Sequence, residues 1–550
     1  MLLLDFLEAT RAAADREHIW RFPKQDVELS LGDIVTASGG YAGALAALGV
    51  CHGDRVGIVL ENCAEYPSLL LGIWQLGAAA VPLRPSGGLK FEMAAFLREV
   101  DADCEFAVFV FDDDVDPPVM AASSRRRGVR KAQIRELAAT APSVVPARLR
   151  PEDVAVLQYS SGSTARPKAV IVTHGMVRSQ VDQLDSEYRY ACGGESIRSA
   201  GSWLPFHHDM GLFIGILHPL FSRSHNVLGS PLFYMRDPKR WFRLQAERRV
   251  NWNFTTNLAM ANSVGSLRLL DPAAVDLSHF HLYLAAEKVS PVVLQKTCDA
   301  LERLGTPRAN VRIGYGMAEN TLGVTSTKDG HVRCVRIQVD GTNRLRLADG
   351  SDPRSMEVVS VGRPHINTTV TVRDDDGNVV PDVTLGEICV EGPCVTPGYF
   401  RDPTRTAAQL TGGFLRTRDL GFRLDDEFYF VTRKDDVVVV GGRNISPDDI
   451  EDCVEAMDNV PAGGAVLIDV PIAATGKTEL VLLVETNQRL SGQEAAERRA
   501  LLQQHVLTER GLLINRVAFA KRSSLEKTSS GKKRRKVIRE RFVNQELDLS

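Results

Sequence analysis

Apolar and polar positions between residues 30 and 150 alternate between two periods. Residues 34–48 carry apolar side chains at helical spacing, and His52-Gly53-Asp54 follows as a turn. Residues 55–60 are a short apolar run that predicts a strand. Residues 65–76 predict a buried helix, and residues 79–83 a second strand. Strand and helix recurring at this spacing predict α/β layers around a largely parallel sheet. Residues 112–128 break the pattern with Asp112-Asp113-Asp114 and Arg125-Arg126-Arg127, and predict an exposed connection.

The texture changes near residue 360. Residues 368–372, 386–391 and 427–432 alternate with period two between turn residues, which predicts a small antiparallel sheet or β-barrel. Arg433-Lys434-Asp435-Asp436 then interrupts the pattern. After it the chain restarts as an α+β unit, with strands near 437–440, 464–469 and 479–486 and a helix over 492–507. The fold class predicted is α/β. A large N-terminal domain (1–432) holds the α/β layers and a barrel near 360–432, and a small α+β domain (433–550) follows. No internal repeat or low-complexity segment interrupts it.

Composition narrows the function classes. With 550 residues, 44% hydrophobic and 25% charged, the chain can bury more than one core. A net charge of −3 gives no electrostatic footprint for nucleic acid. Nine cysteines without a CxxC pair predict reduced thiols and a cytoplasmic protein. Asp5 interrupts the apolar N-terminus, so no secretory signal is expected. The apolar stretch 68–82 is too short for a membrane span.

Candidate chemistry begins at Gln158-Tyr159-Ser160-Ser161-Gly162-Ser163-Thr164-Ala165-Arg166-Pro167-Lys168, after the strand predicted at 154–157. Small hydroxyl residues and a glycine let backbone N–H groups approach phosphate oxygens, and Lys168 adds charge. A serine-rich surface turn is the commoner fate of such composition. The strand 169–172 and Thr173-His174 immediately after it favour the phosphate loop. Two other segments only imitate nucleotide motifs. Gly476-Lys477-Thr478 has Pro471 where a Walker loop needs its first glycine, and Gly314-Tyr315-Gly316 has Glu319 in place of a third glycine.

The loop resembles the phosphate-binding signature of the adenylate-forming superfamily of acyl-CoA synthetases, nonribosomal adenylation domains, luciferases and fatty acyl-AMP ligases. Further motifs follow in that superfamily's order. They are Ser202-Trp203-Leu204-Pro205-Phe206-His207-His208-Asp209-Met210-Gly211, Gly314-Tyr315-Gly316-Met317-Ala318-Glu319, Gly386-Glu387-Ile388, Leu415-Arg416-Thr417-Arg418-Asp419-Leu420-Gly421, Gly442-Arg443-Asn444 and Lys527-Thr528-Ser529-Ser530-Gly531-Lys532. The first of these and the segment 442–451 look most like fatty acyl-AMP ligases.

The resemblance implies that the chain activates a carboxylic acid with ATP and Mg²⁺, forming acyl-AMP and pyrophosphate. Ser161, Gly162, Ser163, Thr164 and Lys168 match the triphosphate loop, and Glu319 the metal-holding acid. Tyr315 matches the adenine-stacking residue within Gly314-Tyr315-Gly316-Met317-Ala318. Ala286 and Glu287 match the segment at the adenine edge. Asp419 matches the ribose ligand, Arg433 a ribose- or phosphate-side contact, and His208 the residue facing the carboxylate. Lys532 matches the adenylation lysine on a mobile C-terminal domain that turns about Asp435. His207, Phe254, Thr255 and Asn257 fall where the acyl pocket is expected.

Several positions depart from the family pattern. Ala165, Ala169 and Arg418 stand in place of usual glycines. Phe254 and Thr255 replace small residues and are expected to narrow an acyl tunnel, which disfavours long straight chains. Forty-two residues separate Glu319 from Gly362, with strand-like runs at 332–339, 345–347 and 356–361. This stretch resembles the insertion (near 326–361) of fatty acyl-AMP ligases, which restrains the C-terminal domain and directs the acyl group to an acyl carrier protein. Acyl transfer to CoA is the alternative, and a homologue that binds without adenylating is a third.

Overall fold

The computed structural model describes residues 6–10, 15–85, 90–115, 117–124, 129–138, 145–160, 167–195, 197–339, 344–348, 355–440, 443–472, 477–487, 490–527 and 532–549. Its first layer is a sheet of six described strands, Arg130–Gln133, Val108–Phe111, Arg55–Val59, Ala79–Pro82, Val154–Ser160 and Lys168–Thr173 in spatial order. The strands run parallel except the last, which returns antiparallel to Val154–Ser160. Ser30 caps the helix Leu31–Ala47 by accepting from Asp33 N at 3.1 Å, while Asp33 accepts from Ser30 N at 2.9 Å. The helix Tyr66–Gln75 packs closely on it. A Cβ at Gly72 would lie 2.8 Å from Tyr41 Cβ, so only glycine permits that approach. Trp20, Trp74, Trp241 and Trp252 are fully buried in the large core.

The second sheet carries the site. Its parallel central strands are Ser199–Ser202, Trp252–Thr255, Leu282–Leu284 and Val311–Gly316. The antiparallel strands Gly323–Ser326, Met356–Pro364, Glu427–Arg433, Phe414–Leu424, Gly386–Glu391 and Thr369–Arg373 continue it on one side. The antiparallel sheet or barrel expected near 360–432 is continuous with this sheet. Met356–Pro364 pairs with Cys334–Val339 at its start, Glu427–Arg433 in its middle and Gly323–Ser326 at its end.

Residues 112–128 hold a short helix, Pro117–Ala122, where a plain connection was expected; Val119 on it is buried. The insertion packs, as its apolar positions predict. Ile337, Leu345 and Val358 meet Phe422, Tyr429 and Val431. These partners all belong to the large sheet.

Beyond Arg433 no described strand joins the large sheet. Ala465–Ile472, Lys477–Thr486 and Arg516–Lys521 form a separate sheet with apolar residues on both faces. One face, with Leu467, Leu482 and Val484, meets Val454, Leu502 and Val506 of the helices Pro447–Glu455 and Gly492–Arg510. The other, with Val466, Ile468 and Leu483, meets Ile538 of Arg535–Val543. All nine cysteines are free thiols. No helix among the described residues is long and apolar enough to cross a membrane.

Candidate active site

A cavity of about 1030 Å³ opens at the C-terminal ends of the parallel strands Trp252–Thr255, Leu282–Leu284 and Val311–Gly316, where open α/β sheets bind ligands. Asp448, Asp452, Gly463, Lys532 and Lys533 from the smaller unit complete its wall. Gly463 packs on the large unit, since a Cβ there would lie 2.7 Å from Leu258 Cδ1.

Tyr315, Asp419 and Arg433 form one cluster. Asp419 and Arg433 are cross-strand partners. Tyr315 Oη donates to Asp419 Oδ2 at 2.7 Å, and Arg433 Nε lies 3.3 Å from Asp419 Oδ1. Lys168 and Glu319 form a second cluster. Lys168 Nζ ion-pairs with Glu319 Oε1, and Tyr399 Oη donates to the same oxygen at 2.8 Å. Burial raises the Glu319 pKa, but the Lys168 ammonium and these hydrogen bonds outweigh it and hold the carboxyl below its usual range. The backbone after Tyr315 turns tightly, with Met317 N donating to Leu322 O at 2.8 Å. A Cβ at Gly316 would stand 1.9 Å from that carbonyl, so the turn needs glycine.

Gly314, Tyr315, Gly316, Met317, Ala318, Ala286 and Glu287 all line the cavity. Burial pushes the Glu287 pKa up to about 7, against the opposing effects of the Leu258 N–H and of Lys532 and Lys533. His207 and His208 line it too. Burial, with His208 and Arg84 nearby, pushes His207 down to about 3, leaving its ring neutral. His208 Nδ1 lies 2.6 Å from Asp209 Oδ1. Burial raises the Asp209 pKa, and His208, the Met210 N–H and Lys532 more than reverse it. The charge of Lys532 thus reaches both Asp209 and Glu287. The loop residues Ser161, Gly162, Ser163 and Thr164 lie outside the described residues, as do Gly442 and 528–531.

Phe254 lines the cavity and stacks on Tyr283 at 4.8 Å and 18°. Thr255 does not line it. Strand alternation turns Thr255 to the opposite face, where it is buried, so the expected narrowing falls to Phe254 alone. Asn257 lines the cavity while its Oδ1 accepts from Ser290 N at 3.1 Å. Arg418 has φ +63° and grips Asp435 through two guanidinium nitrogens, Nε to Oδ2 at 2.8 Å and Nη2 to Oδ1. That joins a departure from the family pattern to the expected hinge residue.

Residues 6–400 match the AMP-binding enzyme family, and residues 435–550 match the AMP domain of Disco-interacting protein 2-like proteins. The chain belongs to the AMP-binding enzyme family. A 4-hydroxyphenylalkanoate adenylyltransferase of Mycobacterium tuberculosis is 29% identical over 90% of this chain and 83% of its own length. The long-chain-fatty-acid–AMP ligase FadD23 of the same species is 30% identical over 88% of this chain and 85% of its own. A solved structure from work on fatty acyl-adenylate ligases of E. coli and L. pneumophila superposes with a TM-score of 0.89 at 24% identity. It covers 99% of this chain and 98% of that one, and at that identity the likeness shows the fold. This AMP-binding enzyme is an adenylate-forming ligase: it activates a carboxylic acid as its acyl-AMP at the expense of ATP.

Several side chains around this enzyme's cavity carry no signal in the sequence. Tyr399 reaches Glu319 from 80 residues away, and Tyr283 backs Phe254 from the neighbouring strand. The basic run after residue 532 is paired within the smaller unit: Lys533 lies 2.7 Å from Glu451 and 2.9 Å from Glu455. Arg535 pairs with Asp436, Asp448 and Glu451, and Arg539 with Asp469. Helical spacing alone does not reveal that a basic face is neutralised from within.

Proposed function

We infer that this enzyme adenylates a hydrophobic carboxylic acid and passes the acyl group to the phosphopantetheine thiol of a carrier protein. In the first half-reaction the carboxylate attacks the α-phosphorus of ATP and pyrophosphate leaves. Two anions meet and charge builds on the phosphoryl oxygens, so preorganised cations dominate the catalysis. Lys532 is assigned to the α-phosphate and the attacking carboxylate, Lys168 to the outer phosphates, and His208, oriented by Asp209, to the carboxylate. Asp419 takes the ribose hydroxyls, because one carboxylate accepts several hydrogen bonds. Tyr315 stacks on adenine.

Mg²⁺ is held by one or two carboxylates together with substrate phosphates. Glu319 fits: it is ionised, lines the cavity, and carries its two described hydrogen bonds on Oε1. The metal would offset phosphate charge there.

One arrangement carries the reading. Lys532 of the smaller unit lines the same cavity as Lys168, Glu319, His208 and Asp419 of the larger. In the second half-reaction residues 433–550 turn about Asp435 and admit the thiol. The carrier assignment is supported by the insertion, which resembles that of fatty acyl-AMP ligases and is anchored to the large sheet. Both relatives are also named for joining an acid to AMP, not to CoA. The test supplies ATP, Mg²⁺ and an accepted acid, then adds CoA or a holo carrier protein. Acyl-AMP should persist with CoA and be discharged onto the carrier. Efficient acyl-CoA formation would reject the carrier assignment.

A further inference from the structure

Glu319 is braced by a side chain that belongs to neither the phosphate loop nor the adenine segment. Tyr399 Oη donates to Glu319 Oε1 at 2.8 Å, and the two residues are only 4% and 8% exposed. Backbone bonds fix where they meet. Phe400 N donates to Ala169 O at 2.9 Å, Ile171 N donates to Gly398 O at 3.1 Å, and Tyr399 bridges Val170. Those contacts tie the segment to the strand Lys168–Thr173. On its other side Thr396 N donates to Glu319 O at 2.8 Å, and Thr321 Oγ1 donates to Cys394 O at 2.8 Å. Residues 394–400 therefore set the spacing between the Lys168 strand and the turn that carries Glu319. Tyr399 extends that link to the carboxyl itself.

Tyr399 is in turn fixed by Gln409. The Gln409 side-chain amide lies against Tyr399 Oη from the end of the helix Pro403–Gln409, and Gln409 also lines the cavity. A phenol has one proton to donate. Burial and the Glu319 charge push the Tyr399 pKa up, so the proton stays on the hydroxyl. The carboxylate is the stronger acceptor for it. The Gln409 NH₂ then donates to Oη, which gives a directed chain from Gln409 through Tyr399 to Glu319. Lys168 is the other partner of Oε1, and its Nζ stands 5.2 Å from the Tyr399 ring centroid. Assigned to the outer phosphates, Lys168 divides its charge between them and Glu319 once ATP is bound. Tyr399 has no such second duty. Both described hydrogen bonds to the carboxyl fall on Oε1, which leaves Oε2 for a metal.

We propose that Tyr399 is a positioning residue for the metal: backed by Gln409, it holds Oε1 of Glu319 and so presents Oε2 to Mg²⁺ while Lys168 serves the phosphates. Groups that orient a metal-holding carboxylate are worth ~10–100-fold in metal affinity. The assignment rests on the reading of Glu319 as the metal-holding acid.

The test titrates Mn²⁺, which takes the same oxygen ligands as Mg²⁺, into the full chain with α,β-methylene-ATP bound. Free Mn²⁺ is followed by EPR, so metal affinity is read without turnover. Tyr399→Phe keeps the ring and loses the hydroxyl, and should weaken Mn²⁺ binding about tenfold, the value of one hydrogen bond to a charged group. Gln409→Leu should weaken it about two- to threefold, as the loss of a neutral bond one step removed. In EDTA both variants should bind the analogue as wild type does. Glu319→Gln sets the floor for Mn²⁺, and adding Tyr399→Phe to it should cost nothing further, because Tyr399 acts through that carboxyl. Wild-type Mn²⁺ affinity in Tyr399→Phe and Gln409→Leu overturns the proposal. So does an equal loss of analogue binding in EDTA, or a further loss in the double variant. If Tyr399→Phe misfolds, Gln409→Leu decides. Unchanged Mn²⁺ affinity in Glu319→Gln overturns the metal-holding reading beneath the proposal, whereas absence of pyrophosphate exchange with every carboxylic acid overturns adenylation itself.

Discussion

Replacing Arg418 by glycine should loosen the hinge without unfolding the protein. The substitution removes a two-pronged ion pair to Asp435 whose side chains are 42% and 34% exposed. A pair that open to water contributes about 0.5–1 kcal/mol, with the paired geometry placing it toward the upper end. Arg418 holds φ +63°, which costs an L-residue about 1 kcal/mol and a glycine nothing. Glycine also gives back about 0.4–1 kcal/mol of chain entropy in the unfolded state. Strain relief offsets the lost pair, and the entropy term leaves a net loss of about 0.4–1 kcal/mol, so the melting temperature should fall slightly. The hinge equilibrium loses the pair alone, and about 1 kcal/mol changes its population about fivefold. The assay preforms acyl-AMP, mixes the enzyme with holo carrier protein and follows thioester formation in a single turnover. Arg418→Gly should speed that step up to about fivefold, with a smaller fall in pyrophosphate exchange. Arg418→Ala should give the same rate with a melting temperature no higher than that of Arg418→Gly, since it loses the pair and keeps the strain. Unchanged or slower thiol transfer in both variants would refute the reasoning.

Asp419→Ala should raise KM for ATP by ~10–100-fold with a smaller change in kcat, because ribose contacts alter little between ground state and transition state; a kcat-only loss would reassign the residue. Phe254→Ala should raise the turnover of dodecanoate relative to octanoate, at a stability cost of ~3–4 kcal/mol for the lost ring, and a wild-type preference for long straight chains would contradict the blocked tunnel. Glu287 has a folded pKa of about 7 against 4.5 when exposed. Its stabilising contribution is therefore complete below pH 4.5 and lost as pH rises through about 7. Thermal unfolding of the unliganded Glu287→Gln variant should gain on wild type across that window, and parallel pH profiles would show that the carboxyl does not titrate there.

Local pattern carries the elements well where one face of each is buried. Residues 386–391 form the predicted strand, Gly386–Glu391, and the predicted helix over 492–507 extends only to Arg510. Partner choice is not local. An antiparallel sheet or barrel was expected because short alternating strands cluster after 360, but pattern does not say that Met356–Pro364 divides its pairing among three strands. The same limit applies at the site. Period-two alternation says that Phe254 and Thr255 face opposite ways, but only the packed sheet decides that Phe254 meets the cavity. The motifs placed Lys168, Glu319, Asp419 and Lys532 on one wall-lined site, while the Tyr399 brace and the Arg418–Asp435 pair depend on side chains meeting across strands.

Acid-dependent exchange of labelled pyrophosphate into ATP, run on wild type and Lys532→Ala side by side, tests the central claim most directly. Lys532 lines the adenylation cavity and its charge reaches Asp209 and Glu287. Removing one preorganised cation from a developing oxyanion costs ~10²–10³ in rate. Robust exchange by wild type, with a loss of that size in a variant that keeps its melting temperature and its affinity for ATP, is the result predicted. Exchange by Lys532→Ala at the wild-type rate would contradict the account.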